Sequence, residues 1–174
     1  MPPEPGIAIR RLEGGDDLDG FESGVPELDE YLRCYAMQNQ RRRCSVTYLA
    51  IEACAVLGYV TIAASQVERA AISEALVRRL PRYALPTLSV CRLASGTRQR
   101  GLGVGTRLIR HVLLESVEMA ARFGCIGVRL DAKPEAMGFY ERFGFVCLQA
   151  DDRSSAGLQP MFLPLNQIEG GLRG

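Results

Sequence analysis

At 174 residues the chain is the size of one ordinary domain, long enough to bury a core without a disulfide or metal. Its 47% hydrophobic and 24% charged residues exclude a disordered or fibrous chain, and a formal net charge of +1 offers nucleic acid no global attraction. The start Met1-Pro2-Pro3-Glu4-Pro5 has neither the basic nor the apolar part of a signal peptide, and no later stretch reaches membrane-spanning length, so a cytoplasmic protein with no membrane partner is expected.

Ile7 to Leu12 reads as a first strand, punctuated by Gly14, Gly15 and a run of aspartates. A helix follows: Pro26 suits its first turn, and Leu28, Leu32, Tyr35 and Ala36 recur at helical spacing up to the polar run Gln38 to Arg43. Ser45 to Ile51 and Val56 to Ala64, rich in Val, Ile, Thr and Tyr, predict an antiparallel hairpin turning at Glu52 to Ala55. Ser73 to Leu80 predicts a short helix stopped by Pro81 and Pro86, which deliver the chain into a strand over Thr87 to Ala94.

From that strand, Ser95 to Arg100 lead into the turn Arg100-Gly101-Leu102-Gly103-Val104-Gly105. The turn opens an amphipathic helix carrying Leu108, Ile109, Val112, Leu113 and Val117 and stopping at Gly124. Cys125 to Ala132 reads as the next strand, with Ile126, Val128 and Leu130 alternating; Pro134 then opens a short helix that ends at Gly144. Phe145 to Leu148 and Met161 to Leu165 complete the sheet. No repeat or low-complexity linker divides the chain, which reads as one mixed α/β (α+β) domain over residues 1–174 with a frayed tail at 169–174.

The six cysteines (Cys34, Cys44, Cys54, Cys91, Cys125 and Cys147) are widely spaced, form no Cys-x-x-Cys pair and read as small buried hydrophobes. With His111 the one histidine, neither a metal site nor a Cys/His nucleophile pair is expected, and His111 receives no role.

The glycine turn carries more chemistry. Unpaired N–H groups at a helix start, together with the helix dipole, make a site for an anion such as a pyrophosphate. Gly101, Gly103 and Gly105 remove side chains that would block its approach, and Arg100 adds a charge-assisted donor. By itself the pattern also suits a purely structural turn needing positive φ angles. A P-loop is disfavoured because no Gly-Lys-Ser/Thr follows; a dinucleotide fold fits the glycine spacing poorly, although Asp131 at the end of the next strand keeps it open.

Two separated motifs then narrow the field. Arg100, Gly103 and Gly105 meet the pattern Arg/Gln-x-x-Gly-x-Gly/Ala, and the stretch from Gly138 through Phe139, Tyr140 and Gly144 to Phe145 looks like Phe-Tyr-x-x-x-Gly-Phe. On these the chain resembles the GNAT acetyltransferases. Phe21-Glu22-Ser23-Gly24, Leu28-Asp29-Glu30-Tyr31-Leu32, Leu80-Pro81-Arg82-Tyr83 and Arg92-Leu93-Ala94 resemble the toxin-type branch, so the likeness covers nearly the whole chain.

The resemblance implies a GNAT fold, with a mostly antiparallel twisted sheet of six to seven strands flanked by helices. It implies acetyl-CoA as cofactor, with Leu93, Ala94 and Ser95 along the pantetheine arm and Arg100, Gly101, Leu102, Gly103, Val104, Gly105 and Thr106 around the pyrophosphate. It further implies that the α-amine of aminoacyl-tRNA is the acceptor, that translation is blocked, and that a ribbon-helix-helix antitoxin is the partner; a homodimer is compatible with it. The branch commonly reads Arg-Leu-Ala-Val-Asp where this chain has Arg92-Leu93-Ala94-Ser95-Gly96, which alters the end of the strand.

Acyl transfer from a thioester needs a neutral amine, a donor for the developing oxyanion and a proton for the departing thiolate. A backbone N–H near Leu93 to Ser95 is the donor that the resemblance implies. Tyr140 is the candidate acid: Ala136, Phe139 and Phe143 share the core-facing side of its short helix, and Tyr140 is expected to turn off that face. A phenol near pKa ~10 can protonate a thiolate whose thiol sits near ~8.5 at modest cost. No Asp or Glu stands on the strand Thr87 to Ala94 to act as base, which favours an α-amine near pKa ~7.7–8.0 over a lysine near ~10.4.

Glu68 or Glu74, acting through water, keep a different substrate open, such as a small amine or a protein N-terminus. Tyr140 argues against a third reading, a non-catalytic acyl-CoA-binding regulatory module. For RNA phosphates the candidates are Arg92, by resemblance, and Arg78, Arg79, Arg41, Arg42 and Arg43.

Overall fold

The computed structural model describes residues 6–149 and 157–172. Seven strands are hydrogen-bonded in the order β1-β2-β3-β4-β5-β7-β6. They are β1 (Ala8–Arg11), β2 (Val46–Glu52), β3 (Ala55–Val67), β4 (Leu85–Ser95), β5 (Gly127–Ala132), β6 (Val146–Cys147) and β7 (Gln159–Pro164). β4 and β5 run parallel, whereas β1–β2, β2–β3, β5–β7 and β6–β7 pair antiparallel. This is the mostly antiparallel seven-stranded sheet that the resemblance implies. The chain forms two compact units, Met1–Ala63 with Cys91–Val112 and Ala64–Val90 with Leu113–Gly174.

In the first unit, β2 and β3 form the predicted hairpin, with Glu52 paired to Ala55 across a two-residue turn. Both turn residues, Ala53 (φ 47°) and Cys54 (φ 68°), are left-handed, the geometry of a type I′ turn that follows the strand twist but is disfavoured for side chains other than Asn, Asp or Gly. β3 is buried without alternation from Leu57 to Ile62, the mark of a strand covered on both faces.

Helix α1 (Pro26–Glu30) passes through a π turn (Tyr31–Tyr35) into α2 (Ala36–Arg41). There the Ala36 N–H reaches Tyr31 O, one residue beyond the α-helical partner. The extra residue shifts the face: Leu32 and Ala36 are fully buried, but Tyr35, expected beside them, is exposed. Leu32, Ala36 and Leu49 pack with Phe21 and Tyr59 in this unit's core. Tyr59 meets Phe21 edge-on and stacks on Tyr31; its hydroxyl donates to Leu28 O at 2.7 Å, and burial pushes its pKa up.

In the second unit, Val67, Ile72, Val77, Leu85, Leu148 and Phe162 make a core. The predicted helix over Ser73 to Leu80 is one turn, α3 (Glu74–Val77), with Val77 inward. Helix α4 (Val104–Arg122) begins in the first unit and ends in the second; Leu108, Ile109, Val112 and Leu113 are buried as predicted, and Val117 is half-buried. His111 stands edge-on to Tyr48, with ring centres 4.2 Å apart. The expected frayed tail is corrected as far as residue 172, because α6 (Leu165–Leu172) carries Gly170 and Gly171 in its last turn and buries Ile168; residues 173–174 lie outside the described ones.

The cysteines also depart from expectation. Cys125 is buried, and burial raises its thiol pKa, but Cys34, Cys44, Cys54, Cys91 and Cys147 are exposed. Their apolar neighbours in sequence do not decide this, because they sit on an outward helix face, in turns, on an outward strand position and on the short strand β6. No helix among the described residues is long and apolar enough to cross a membrane.

Candidate functional site

The first unit presents the glycine turn. β4 ends at Ser95; Gly96 N–H donates to Leu57 O at 2.8 Å and Gly96 O accepts from Gln99 N–H at 3.0 Å, closing a 3₁₀ turn (Thr97–Gln99). Gly101 (φ 79°) and Gly103 (φ 76°) are both left-handed, so the positive-φ reason for glycine holds at each. A Cβ at either would meet nothing within 4 Å, so the space in front of both is open. Val104 is buried and seats the start of α4. The first helical bond at this end is Arg107 N–H to Gly103 O at 3.0 Å, and the N–H groups of Val104, Gly105 and Thr106 precede it. Leu102 is exposed, and Gly105 and Thr106 are half-buried.

Gly96 stands where the resembled branch carries Asp, and its φ of −60° is open to any residue. No side chain caps the 3₁₀ turn; Thr97 N–H donates instead to Glu22 O at 2.8 Å. Leu93 and Ser95 are half-buried and Ala94 is buried. Sequence reasoning missed Gly58: a Cβ there would come within 2.7 Å of Ala94 O and 2.8 Å of Val104 Cγ1, so only glycine lets β3 lie this close to the end of β4 and the start of α4. A lone glycine inside a strand run was the available signal.

Of the candidate RNA contacts, Arg92 is exposed, with its guanidinium 4.9 Å above the Tyr31 ring and Nη1 donating to Cys91 O at 2.8 Å. Arg41, Arg42 and Arg43 are exposed at the end of α2, where Arg43 is left-handed (φ 61°). Arg78 and Arg79 are exposed in the second unit, just after α3.

Tyr140 lies in the second unit on α5 (Met137–Glu141), which continues a 3₁₀ turn (Pro134–Ala136). Here the structure corrects the expected orientation: Tyr140 is the buried ring, while Phe139 and Phe143 are half-buried. Gly144 (φ 96°) reverses the chain so that Phe145 N–H reaches Tyr140 O, and the buried Phe145 ring lies 5.8 Å from that of Tyr140, edge-on. Phe139 also meets Tyr140 edge-on, at 5.1 Å. Among the described residues no hydrogen bond engages the Tyr140 hydroxyl, and burial pushes its pKa up to about 12. Such a phenol keeps its proton at every physiological pH.

The carboxylates named as water-relayed bases, and Asp131, are differently placed. Glu68 is exposed; Glu74, also exposed, lies 3.7 Å from the Arg69 guanidinium. Asp131 lies 3.6 Å from Arg129, which also donates to Gln66 O. Among the described residues no group of three or more His, Cys, Asp or Glu could hold a metal.

Residues 44–147 match the acetyltransferase (GNAT) domain family. The chain is 31% identical over 139 residues to the tRNA-acetylating toxin of Mycobacterium tuberculosis (strain ATCC 25618 / H37Rv), covering 79% of this chain and 83% of that protein. Among solved structures it is similar to AtaT complexed with acetyl-methionyl-tRNAfMet, at 25% identity and a TM-score of 0.87 over 95% of this chain and 99% of that one. It is also similar to AtaTR bound with AcCoA, at 26% identity and a TM-score of 0.80 over 96% and 98% of the two chains.

Proposed function

This chain belongs to the GNAT acetyltransferase family, and from that premise we propose that it transfers the acetyl group of acetyl-CoA to the α-amine of aminoacyl-tRNA, as a toxin that blocks translation. The observation that carries the acceptor is the 31% identity to a tRNA-acetylating toxin over most of both chains. The likeness to AtaT with acetyl-methionyl-tRNAfMet supports the same acceptor.

The turn suits the cofactor because Gly101 and Gly103 face open space, helix N–H donors follow them, and Arg100 stands beside them. When bound, acetyl-CoA supplies a thioester carbonyl open to attack by an amine. Arg100, Gly101, Leu102, Gly103, Val104, Gly105 and Thr106 surround its pyrophosphate and hold it by the Arg100 guanidinium and the N–H groups at the start of α4, the Leu102 N–H being engaged by Gln99 O. The backbone of Leu93, Ala94 and Ser95 orients the pantetheine arm and polarises the carbonyl. Tyr140 Oη holds the proton destined for the departing sulfur. Burial raises the phenol above its usual pKa, and a thiolate withdrawn from water gains proton affinity for the same reason.

No strand carboxylate is needed, because an α-amine near pKa ~7.7–8.0 is partly neutral at pH 7. Arg92, Arg78, Arg79, Arg41, Arg42 and Arg43 supply phosphate contacts on the RNA side. We assign the whole to one domain acting in the cytoplasm, since β3, β4 and α4 each run unbroken from one unit into the other. A ribbon-helix-helix antitoxin is the regulatory partner, and a homodimer is compatible with the reading.

Incubating the protein with labelled acetyl-CoA and a charged tRNA pool tests this: label should appear on the aminoacyl moiety. Label on small amines or peptide N-termini with none on tRNA would replace the acceptor and leave the enzyme class standing.

A further inference from the structure

The acetyltransferase reading leaves one buried acid without a task. Asp29 in α1 is 7% exposed, and its Oδ1 accepts two hydrogen bonds from Ser23, one from the backbone N–H at 2.9 Å and one from Oγ at 2.5 Å. Ser23 is 4% exposed. Withdrawing these groups from water is unfavourable unless they pair, and pairing them fixes the segment they join.

That segment is bound at three successive carbonyls. Phe21 O accepts from Arg33 Nη1 at 3.3 Å, Glu22 O from Thr97 N–H at 2.8 Å and Ser23 O from Arg100 Nη2 at 3.1 Å. The last two donors belong to the approach to the glycine turn, Arg100 lying 77 residues from Ser23 along the chain. Gly24 completes the fit: it is left-handed (φ 83°), and a Cβ there would stand 3.2 Å from both Arg100 Nη2 and Thr97 Cγ2.

We propose that Asp29 and Ser23 form a latch that positions Arg100 for the pyrophosphate of acetyl-CoA, which makes Asp29 a positioning residue for cofactor binding. This rests on the acetyl-CoA reading of the turn. A guanidinium carries five N–H donors on a rigid fork; one of them spent on Ser23 O sets its plane and leaves the rest for phosphate oxygens. A side chain already ordered loses less freedom when the ligand arrives.

The test is a double-mutant cycle on the full chain, reading the acetyl-CoA Kd by calorimetry and the acetylation rate at saturating acetyl-CoA. Asp29→Ala should weaken acetyl-CoA about five- to tenfold, the loss expected for one side chain left unordered. The saturated rate should stay within about twofold if Asp29 acts only through binding. Asp29→Asn, whose side-chain oxygen accepts both bonds, should bind as the wild type does. With Arg100→Ala already in place, adding Asp29→Ala should change nothing further.

An unchanged Kd in Asp29→Ala, or the same loss with and without Arg100, overturns the latch. If Asp29→Ala does not fold, Ser23→Ala, which deletes one of the two bonds, takes its place in the cycle with the same criteria. Wild-type protein that fails to bind acetyl-CoA overturns the reading of the turn and the latch with it, a result distinct from binding without coupling.

Discussion

The glycine turn and the aromatic cluster around Tyr140 are built by opposite means. The turn is held by hydrogen bonds from Thr97, Arg100 and Leu102 to carbonyls, and its exposed Gly101 and Gly103 are left-handed and face open space. Tyr140 is buried against Phe139 and Phe145, and its hydroxyl is engaged by no hydrogen bond among the described residues. In the proposed roles, the turn as an anion site gains from donors that are already oriented and wet enough to meet a diffusing ligand, and Tyr140 as a proton donor gains from a dry setting that keeps it protonated. The two regions therefore should fail differently when altered.

The largest effect expected is on Tyr140, the proposed acid. Tyr140→Phe removes one hydroxyl from an apolar setting, so the fold should persist while kcat falls about a hundredfold or more. The KM for acetyl-CoA should move little; steady-state kinetics separates the two, and an unchanged kcat would remove Tyr140 as the acid.

Alkaline denaturation sharpens the same contrast. The phenol has a pKa of about 12 in the folded protein against an ordinary 10.0. Below pH 10 both states are protonated and Tyr140 contributes no pH dependence; above it the unfolded chain ionises first, so stability falls until about pH 12. The loss should approach about 3 kcal/mol, and denaturant melts at stepped pH should show a shallower decline for Tyr140→Phe than for the wild type.

On the turn, Gly103→Ala places a side chain at φ 76°, which costs about 1–2 kcal/mol of backbone strain. If relieved by distortion of the turn, that strain should appear as weaker acetyl-CoA binding with kcat largely retained, the reverse of the Tyr140→Phe pattern. Calorimetric titration would show it.

The smallest effect serves as a control in the first unit. Changing Ala53→Asn together with Cys54→Gly suits the left-handed hairpin turn and should stabilise by about 0.5–1 kcal/mol, raising Tm by a few degrees, with kcat and KM unchanged. A loss of activity would link the hairpin to the site.

Where sequence reasoning failed, the cause is traceable to particular residues. The spacing of Ala136, Phe139 and Phe143 predicts an inward face for them, but the buried ring against Tyr140 is Phe145, beyond the reversal at Gly144, and a count along one helix does not include it. Tyr35 shares the periodicity of Leu32 and Ala36 until the π turn inserts one residue's rotation. Phe21-Glu22-Ser23-Gly24 stands out as a motif, but its bonds run to Thr97 and Arg100, far along the chain.

What the sequence determined by itself is the order and kind of the elements and the conformation of the glycine turn. These follow from short-range physics: β-branched and aromatic composition in β2, alternation in β5, helical period in α4, and the φ range that glycine alone enters freely at Gly101 and Gly103. Only the tertiary structure decided that Tyr140 is buried and raised in pKa, that Gly58 admits Ala94 O and Val104, and that Asp29 reaches Arg100 through Ser23. Burial and long-range hydrogen bonds depend on which distant segments meet, and no local pattern encodes that meeting.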